Sequence, residues 1–139
     1  MCVLTQADFR AFGTIVWSKA TANVQQNGEN VYCVYRGKSG ATGGVELDVF
    51  YPAGSSADDV QNAFKAAMES DPGAKYEPEG VAGADESVYS LSVPQPGYFP
   101  FAANDVRRGD LLFSISLPSS PISKLELLRL SEIVLHRLK

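Results

Sequence analysis

Alternation of apolar and polar residues is clearest in the segment 45–51, which reads VELDVFY. Its odd-numbered residues are all apolar, whereas its two carboxylates, Glu46 and Asp48, are even-numbered. A two-residue period is that of a β-strand with one face buried and the other in water. Because parallel sheets are covered on both faces, the pattern predicts an antiparallel sheet that is covered on one side.

Five further segments predict strands because they are rich in β-branched and aromatic residues or alternate in polarity. They span residues 14–18, 31–36, 86–93, 106–108 and 111–117. Pro52 ends the alternating strand, and the dipeptide Gly109-Asp110 predicts a tight turn between the last two strands. The region 75–85, which is rich in glycine and acidic residues, is predicted to be a loop.

Three segments predict helices. The first spans residues 6–12 and follows Thr5, which is typical of an N-cap with Asp8 at the third helical position. The second begins after Ser56, has two aspartates in its first turn, and ends before Asp71. The third spans residues 122–138. It ends the predicted fold.

The third helix has one apolar face, made by Leu127, Leu130, Ser131, Val134, Leu135 and Leu138. The opposite side carries Glu126, Arg129, Glu132 and His136. The single histidine of the chain is therefore predicted to lie in water. A base for nucleophilic catalysis would have to be that residue, so no catalytic residue is assigned.

These elements together predict an α+β fold with one domain over residues 1–139. The predicted order is α-β-β-β-α-β-β-β-α, with a twisted antiparallel sheet and the helices packed on one of its faces. A chain of 139 residues with 45% hydrophobic content is long and apolar enough for one core.

Composition and charge exclude several classes of partner. The formal net charge is -4 and the longest basic run is Arg107-Arg108, so the chain lacks the basic surface that nucleic-acid binding requires. The most apolar long segment, 125–138, is interrupted by charged residues, which argues against a membrane span. Two cysteines and one histidine are too few for a zinc site, and no phosphate-binding signature is complete. We therefore expect no metal and no cofactor.

Cys2 and Cys33 decide the predicted compartment. Cys2 precedes the first helix and Cys33 lies in the strand 31–36, so a disulfide between them would tie the N-terminus to the sheet. In the chain-entropy picture, a bridge closing such a loop stabilises a protein by about 3 to 4 kcal/mol. Two other interpretations stay open: both residues are reduced thiols, or Cys2 carries the lipid of a lipoprotein.

The region 77–86 gathers the candidate catalytic carboxylates, which are Glu77, Glu79, Asp85 and Glu86. A small hydrolase or isomerase could use such groups as acid and base. Oxygen ligands in a glycine-containing loop could also hold calcium, although the spacing matches no EF-hand. A solvated acidic loop is the simplest interpretation.

The segment 94–101, PQPGYFPF, carries the candidate binding residues Tyr98, Phe99 and Phe101. Its prolines forbid a central strand. The aromatic side chains either fill one edge of the core, which is the favoured interpretation, or lie exposed as anchors for a protein or peptide partner.

Four stretches of the sequence carry a resemblance to known proteins: 2–9 (CVLTQADF), 32–35 (YCVY), 80–87 (GVAGADES) and 106–112 (VRRGDLL). Together they resemble small extracytoplasmic domains of bacterial lipoproteins and sensor proteins, largely of unknown function. The resemblance implies that Cys2 pairs with Cys33 and that the domain is secreted, periplasmic or at the cell surface. A precursor with a signal peptide or lipid anchor before Met1 is compatible with this resemblance but is not implied by it.

The sequence therefore predicts a non-enzymatic, extracytoplasmic binding or sensory domain. The alternative is a small hydrolase or isomerase that uses the carboxylates of the region 77–86.

Overall fold

The computed structural model describes residues 3–5, 7–9, 21–24, 31–36, 44–51, 56–69, 75–78, 80–92, 96, 101–118 and 123–138. These residues form seven strands and two α-helices, which confirms the α+β class. The strands are β1 (Thr21–Val24), β2 (Val31–Arg36), β3 (Gly44–Tyr51), β4 (Lys75–Pro78), β5 (Glu86–Leu91), β6 (Phe101–Arg108) and β7 (Leu111–Pro118). The helices are α1 (Ala57–Glu69) and α2 (Ser123–Arg137). Neither of these two helices combines the length and the apolar character that crossing a membrane requires.

The strands form one antiparallel sheet in the order β1-β2-β3-β7-β6-β5-β4. Strands β1 to β3 form one meander, and strands β4 to β7 form a second. The two meanders meet where β3 pairs with β7, with Leu47 opposite Ile115. Because β4 lies at the far edge, the connection through α1 carries the chain from the centre of the sheet to that edge.

Most of the core lies between the sheet and α2. On this face β7 contributes Leu111, Phe113, Ile115 and Leu117, all buried. Helix α2 contributes the predicted apolar residues Leu127, Leu130, Val134, Leu135 and Leu138, and Ser131 is buried among them. The apolar face predicted for the last helix is therefore confirmed.

Helix α1 packs on the opposite face of the sheet. Val60 and Phe64 of α1 form a second buried cluster with Leu112 of β7, and Val88 of β5 packs against it. Successive residues of a strand point to opposite faces, so Leu112 lies on the other side of β7 from Leu111. The prediction that the helices share one face is wrong, because β5 and β7 both offer apolar side chains on two faces and the sheet lies between the helices.

The N-terminal segment is held by a capping arrangement at Thr5. The Thr5 N–H donates to Oδ2 of Asp8 at 2.6 Å, and the Asp8 N–H donates to the Thr5 carbonyl at 3.0 Å. Residues 7–9 form a single 3₁₀ turn, and the remainder of the predicted helix lies outside the described residues. Leu4 and Phe9 are both buried in the core, which fixes the turn against the domain.

Arg129 covers a carboxylate that the helical projection placed on the water side of α2. Glu126 is only 9% exposed, and Nη2 of Arg129 donates to its Oε2 at 2.8 Å. The same guanidinium donates to the main-chain carbonyl of Asp8. The N-terminal segment therefore contacts a side of α2 that amphipathicity alone would leave in water.

Three strands differ from the sequence prediction. The segment 14–18 lies outside the described residues, whereas β1 begins at Thr21. Strand β4 replaces part of the predicted loop, and β6 begins at Phe101 rather than near Val106. The sequence of β4 does not favour a strand, because charged residues and proline are unfavourable there. Pro78 is tolerated because it ends a strand at the edge of the sheet.

Asn104 is a polar residue inside the core under α2. It is fully buried, its amide nitrogen donates to Oγ of Ser131 at 3.2 Å, and its Oδ1 accepts no hydrogen bond from the described residues. A buried polar atom without a partner costs about 1–3 kcal/mol.

We expect the double variant Asn104→Leu/Ser131→Ala to be about 1 kcal/mol more stable than the wild type, because it removes both polar groups together. Ser131→Ala alone should be about 1 kcal/mol less stable, because it leaves the Asn104 amide unpaired. Urea titrations of the free energy of unfolding measure both effects. A double variant less stable than the wild type would show that Oδ1 has a partner in solution, such as a buried water.

Candidate functional site

An open cleft lies between α1 and the segment that leads into β5. Its volume is about 410 Å³, which is within the range of small-molecule sites. Its apolar lining is made by Phe64, Pro78, Val81, Ala84 and Val88. Its remaining lining is made by Gly80, Asp85, Glu86 and Ser87. The cleft therefore combines an apolar wall with two carboxylates.

A turn over residues 81–84 shapes one wall of the cleft. The Ala84 N–H donates to the Val81 carbonyl at 3.1 Å, and Gly83 has a φ of 87°, which glycine adopts without strain. The Val81 N–H donates to Oγ of buried Ser87 at 3.2 Å. The Ala82 N–H donates to Glu132 of α2 at 3.3 Å. Hydrogen bonds within the turn, to Ser87 and to Glu132 therefore hold this wall of the cleft in place.

Arg107 of β6 joins the two carboxylates at the mouth of the cleft. Its Nε donates to Oε2 of Glu86 at 2.8 Å, and its Nη1 lies 3.6 Å from Oδ2 of Asp85. Oδ2 of Asp85 also accepts the Gly109 N–H at 2.6 Å, in the tight turn between β6 and β7. The turn predicted at Gly109 is confirmed, and Asp85 links it to the cleft.

The four candidate carboxylates do not come together. Asp85 and Glu86 line the cleft, Glu77 pairs with Tyr89 in the β4–β5 ladder, and Glu79 lies outside the described residues. Tyr89 packs with the core under α2, so alternation places Glu77 on the α2 face and Glu86 on the α1 face. Glu77 forms an ion pair with Lys124 of α2 at 2.8 Å. Two of the four predicted residues therefore share a site.

Asp105 is a carboxylate that the sequence reasoning did not single out. It stands between Val88 of β5 and Ser114 of β7 in the ladder, on the α1 face of the sheet. Burial raises the pKa of its carboxyl group above the ordinary value, and a hydrogen bond with Ser114 opposes part of that rise. The sequence contains a signal for this strand, because Ala102, Asn104 and Val106 occupy alternate positions, as residues on one face of a strand do. Asp105 lies between two of them and therefore on the other face.

The aromatic segment belongs to the connection between β5 and β6, here called the aromatic loop (residues 93–100). Both of its ends are joined: the Ser92 N–H donates to the Phe101 carbonyl at 2.9 Å, and the Phe101 N–H donates to Oγ of Ser92 at 2.7 Å. Phe101 is 38% exposed. Tyr98 and Phe99 lie outside the described residues. Whether these three side chains fill the edge of the core or serve as anchors for a partner stays a prediction.

Cys33 lies in the middle of β2, paired in register with Ala22 and Leu47. Cys2 lies outside the described residues, and the pairing of the two cysteines stays a prediction.

Comparison of the chain with known protein families, curated proteins and solved structures finds no match. The function has to be argued from the residues themselves.

Proposed function

We propose that this chain is an extracytoplasmic binding domain that engages a protein or peptide partner through Tyr98, Phe99 and Phe101. The observation that carries the proposal is the exposed Phe101 at the end of a loop whose two ends are hydrogen-bonded to each other. The proposal takes residues 1–139 as one domain, in which β4 adds a fourth strand between α1 and α2 to the predicted order α-β-β-β-α-β-β-β-α.

The hydrogen bonds between Ser92 and Phe101 favour binding, because they hold the two ends of the segment together before a partner arrives and so lower the entropic cost of association. Pro94, Pro96 and Pro100 restrict the backbone further. Large aromatic side chains on such a support are the usual anchors of protein interfaces. Tyr98 and Phe99 lie between Pro96 and Pro100 in the sequence.

Peptides selected from a phage-displayed library on the immobilised domain provide the test. We expect Phe101→Ala, and separately Tyr98→Ala/Phe99→Ala, to weaken the selected peptides about tenfold or more. Leu125→Ala is the matched control, because Leu125 is an apolar residue 72% exposed on α2, and it should change binding less than about twofold. Circular dichroism verifies that each variant is folded.

Equal binding by all variants would overturn the aromatic loop as the interface. Failure to enrich any peptide over an unrelated immobilised domain would overturn the binding function itself.

The extracytoplasmic location rests on the predicted disulfide between Cys2 and Cys33 and on the resemblance to lipoprotein and sensor domains. Formation of one disulfide removes two hydrogens, so the non-reduced protein should be about two daltons lighter than the reduced protein. An unchanged mass after reduction would remove the main support for this location.

The rival function, a small hydrolase or isomerase, has one supporting observation, which is that Asp85 and Glu86 line the same cleft. Against it, both carboxylates already contact Arg107, and Glu77 lies on the opposite face of the sheet. Turnover of a nitrophenyl ester, phosphate or glycoside that Glu86→Gln abolishes would favour the enzyme.

A further inference from the structure

We propose that the cleft between α1 and β5 binds a small organic cation, in which an ammonium group is carried by an aromatic or branched aliphatic group. This site is separate from the aromatic loop, and it does not depend on the peptide-binding function proposed above.

The apolar part of such a ligand fits the inner lining of the cleft. Phe64 belongs to the buried cluster that joins α1 to the sheet, Val88 packs against that cluster, and Val81 is 5% exposed, so these side chains are held by packing. Burial of apolar ligand surface on a fixed wall needs little rearrangement of the protein. A volume of about 410 Å³ admits a phenyl or isobutyl group together with its linker.

The charged part fits the mouth of the cleft. The hydrogen bonds of the described residues use Oδ2 of Asp85 and Oε2 of Glu86, whereas the second oxygen of each carboxylate accepts none from these residues. The two side chains are 52% and 44% exposed, so a ligand in the cleft can reach them. An ammonium group can replace water as the N–H donor to these oxygens.

The charges at the mouth select the sign of the ligand. Two carboxylates face one guanidinium, so the local charge of Asp85, Glu86 and Arg107 is negative. Arg107 is 15% exposed and already donates to Glu86, so it is poorly placed to hold an anion. An anionic ligand would meet both carboxylates, and a neutral one would leave their second oxygens to water.

The test titrates isotopically labelled domain with 2-phenylethylamine and follows its amide resonances by NMR at pH 7. 2-Phenylethanol supplies the same ring without charge, and ethylamine supplies the charge without the ring. We expect 2-phenylethylamine to bind with a dissociation constant in the millimolar range and about fivefold or more tighter than either control compound. Its shifts should centre on Gly80, Ala84 and Val88.

Two matched carboxylate variants separate the cleft from the general acidity of the chain. Glu86→Gln should weaken 2-phenylethylamine about fivefold and leave 2-phenylethanol unchanged. Glu77→Gln makes the same charge change on the opposite face of the sheet and should have less than about a twofold effect. Both residues form ion pairs of 2.8 Å, so the loss of a pair is common to the two variants.

A third variant fills the cleft without disturbing a packed residue. Gly80 lines the cleft, and a Cβ built there meets no heavy atom within 4 Å. Gly80→Leu should therefore fold normally and weaken both ring-bearing compounds.

Equal affinity for 2-phenylethylamine and 2-phenylethanol would overturn the cation preference. Equal effects of Glu86→Gln and Glu77→Gln, or shifts centred away from the cleft, would overturn the assignment of the site.

Discussion

Replacing Arg137 by alanine is expected to lower the free energy of unfolding by about 2–3 kcal/mol at pH 7, because it leaves the Asp8 carboxylate buried without its cationic partner. Asp8 is 7% exposed, and Arg137 contacts its two oxygens at 2.6 and 3.1 Å. Breaking a fully buried pair costs about 3–5 kcal/mol. We expect the smaller loss of about 2–3 kcal/mol here, because Arg137 itself is 37% exposed and Thr5 still donates to the carboxylate.

Urea titrations measure this change, and His136→Ala is the matched control. His136 is the neighbouring residue of α2, it is exposed, and its removal should cost less than about 0.5 kcal/mol. A loss in Arg137→Ala no larger than that of His136→Ala would show that the ion pair contributes nothing in solution.

The same ion pair predicts a dependence of stability on pH. Burial alone would raise the pKa of Asp8, but hydrogen bonds from Arg137 and Thr5 outweigh it, so the pKa lies below the ordinary value. A carboxyl group with a lowered folded-state pKa stabilises the fold above its unfolded pKa, about 3.9, and loses that contribution as the pH falls through the folded pKa. Arg137→Ala should therefore lose less stability than the wild type on acidification below about pH 4. Parallel curves would contradict this linkage.

Replacing Phe64 by alanine is expected to detach α1 while leaving the core under α2 intact. Phe64 is 3% exposed, and among the described residues its cluster has two other buried members, Val60 and Leu112. Removal of a buried phenylalanine costs about 3–5 kcal/mol, and Phe64 is the largest buried side chain that the described part of α1 places in this cluster. Helix α1 should then open locally while the rest of the domain stays folded. The free energy of global unfolding should therefore fall by no more than about 3 kcal/mol.

Native-state hydrogen exchange distinguishes local opening from general destabilisation. In Phe64→Ala, the amides of α1 should lose protection, whereas those of β7 and α2 should remain among the slowest. Leu130→Ala is the matched variant on the other face of the sheet, because Leu130 is fully buried under α2. It should lower protection throughout. Equal loss of protection in α1 and α2 after Phe64→Ala would show that the two clusters are one cooperative unit.

The alternation of apolar and polar residues correctly predicted strands in which burial follows a regular two-residue period. Val45, Leu47 and Val49 are buried as the alternation required, and β2 spans the predicted residues. Register could not be predicted in the same way. A bulge between Val49 and Tyr51 pairs Tyr51 with Leu112, whereas a regular ladder would pair it with Leu111.

The side of the sheet on which each helix packs could not be predicted from the helix itself. The pattern of an amphipathic helix predicts only that the helix has one apolar face. Which side of the sheet it covers depends on the strands, and Leu111-Leu112-Phe113 presents apolar side chains to both sides.

The prediction that the carboxylates of the region 77–86 form one catalytic site relied on their closeness in sequence. Glu77 and Glu86 are close in sequence, but strand register places them on opposite faces. Arg107, which defines the charge of the cleft, lies on another strand, and sequence analysis gave no reason to pair it with Glu86.

The seam between β3 and β7 decides how this chain can assemble. Within each meander, strands adjacent in sequence pair with each other, so their contacts close only short loops. Pairing Val49 with Phe113 closes a loop of roughly 60 residues, and its entropic cost must be met before the central contacts form. Nucleation within either half is therefore expected to be fast, and the rate of folding is set by the encounter of the two halves at the middle of the sheet.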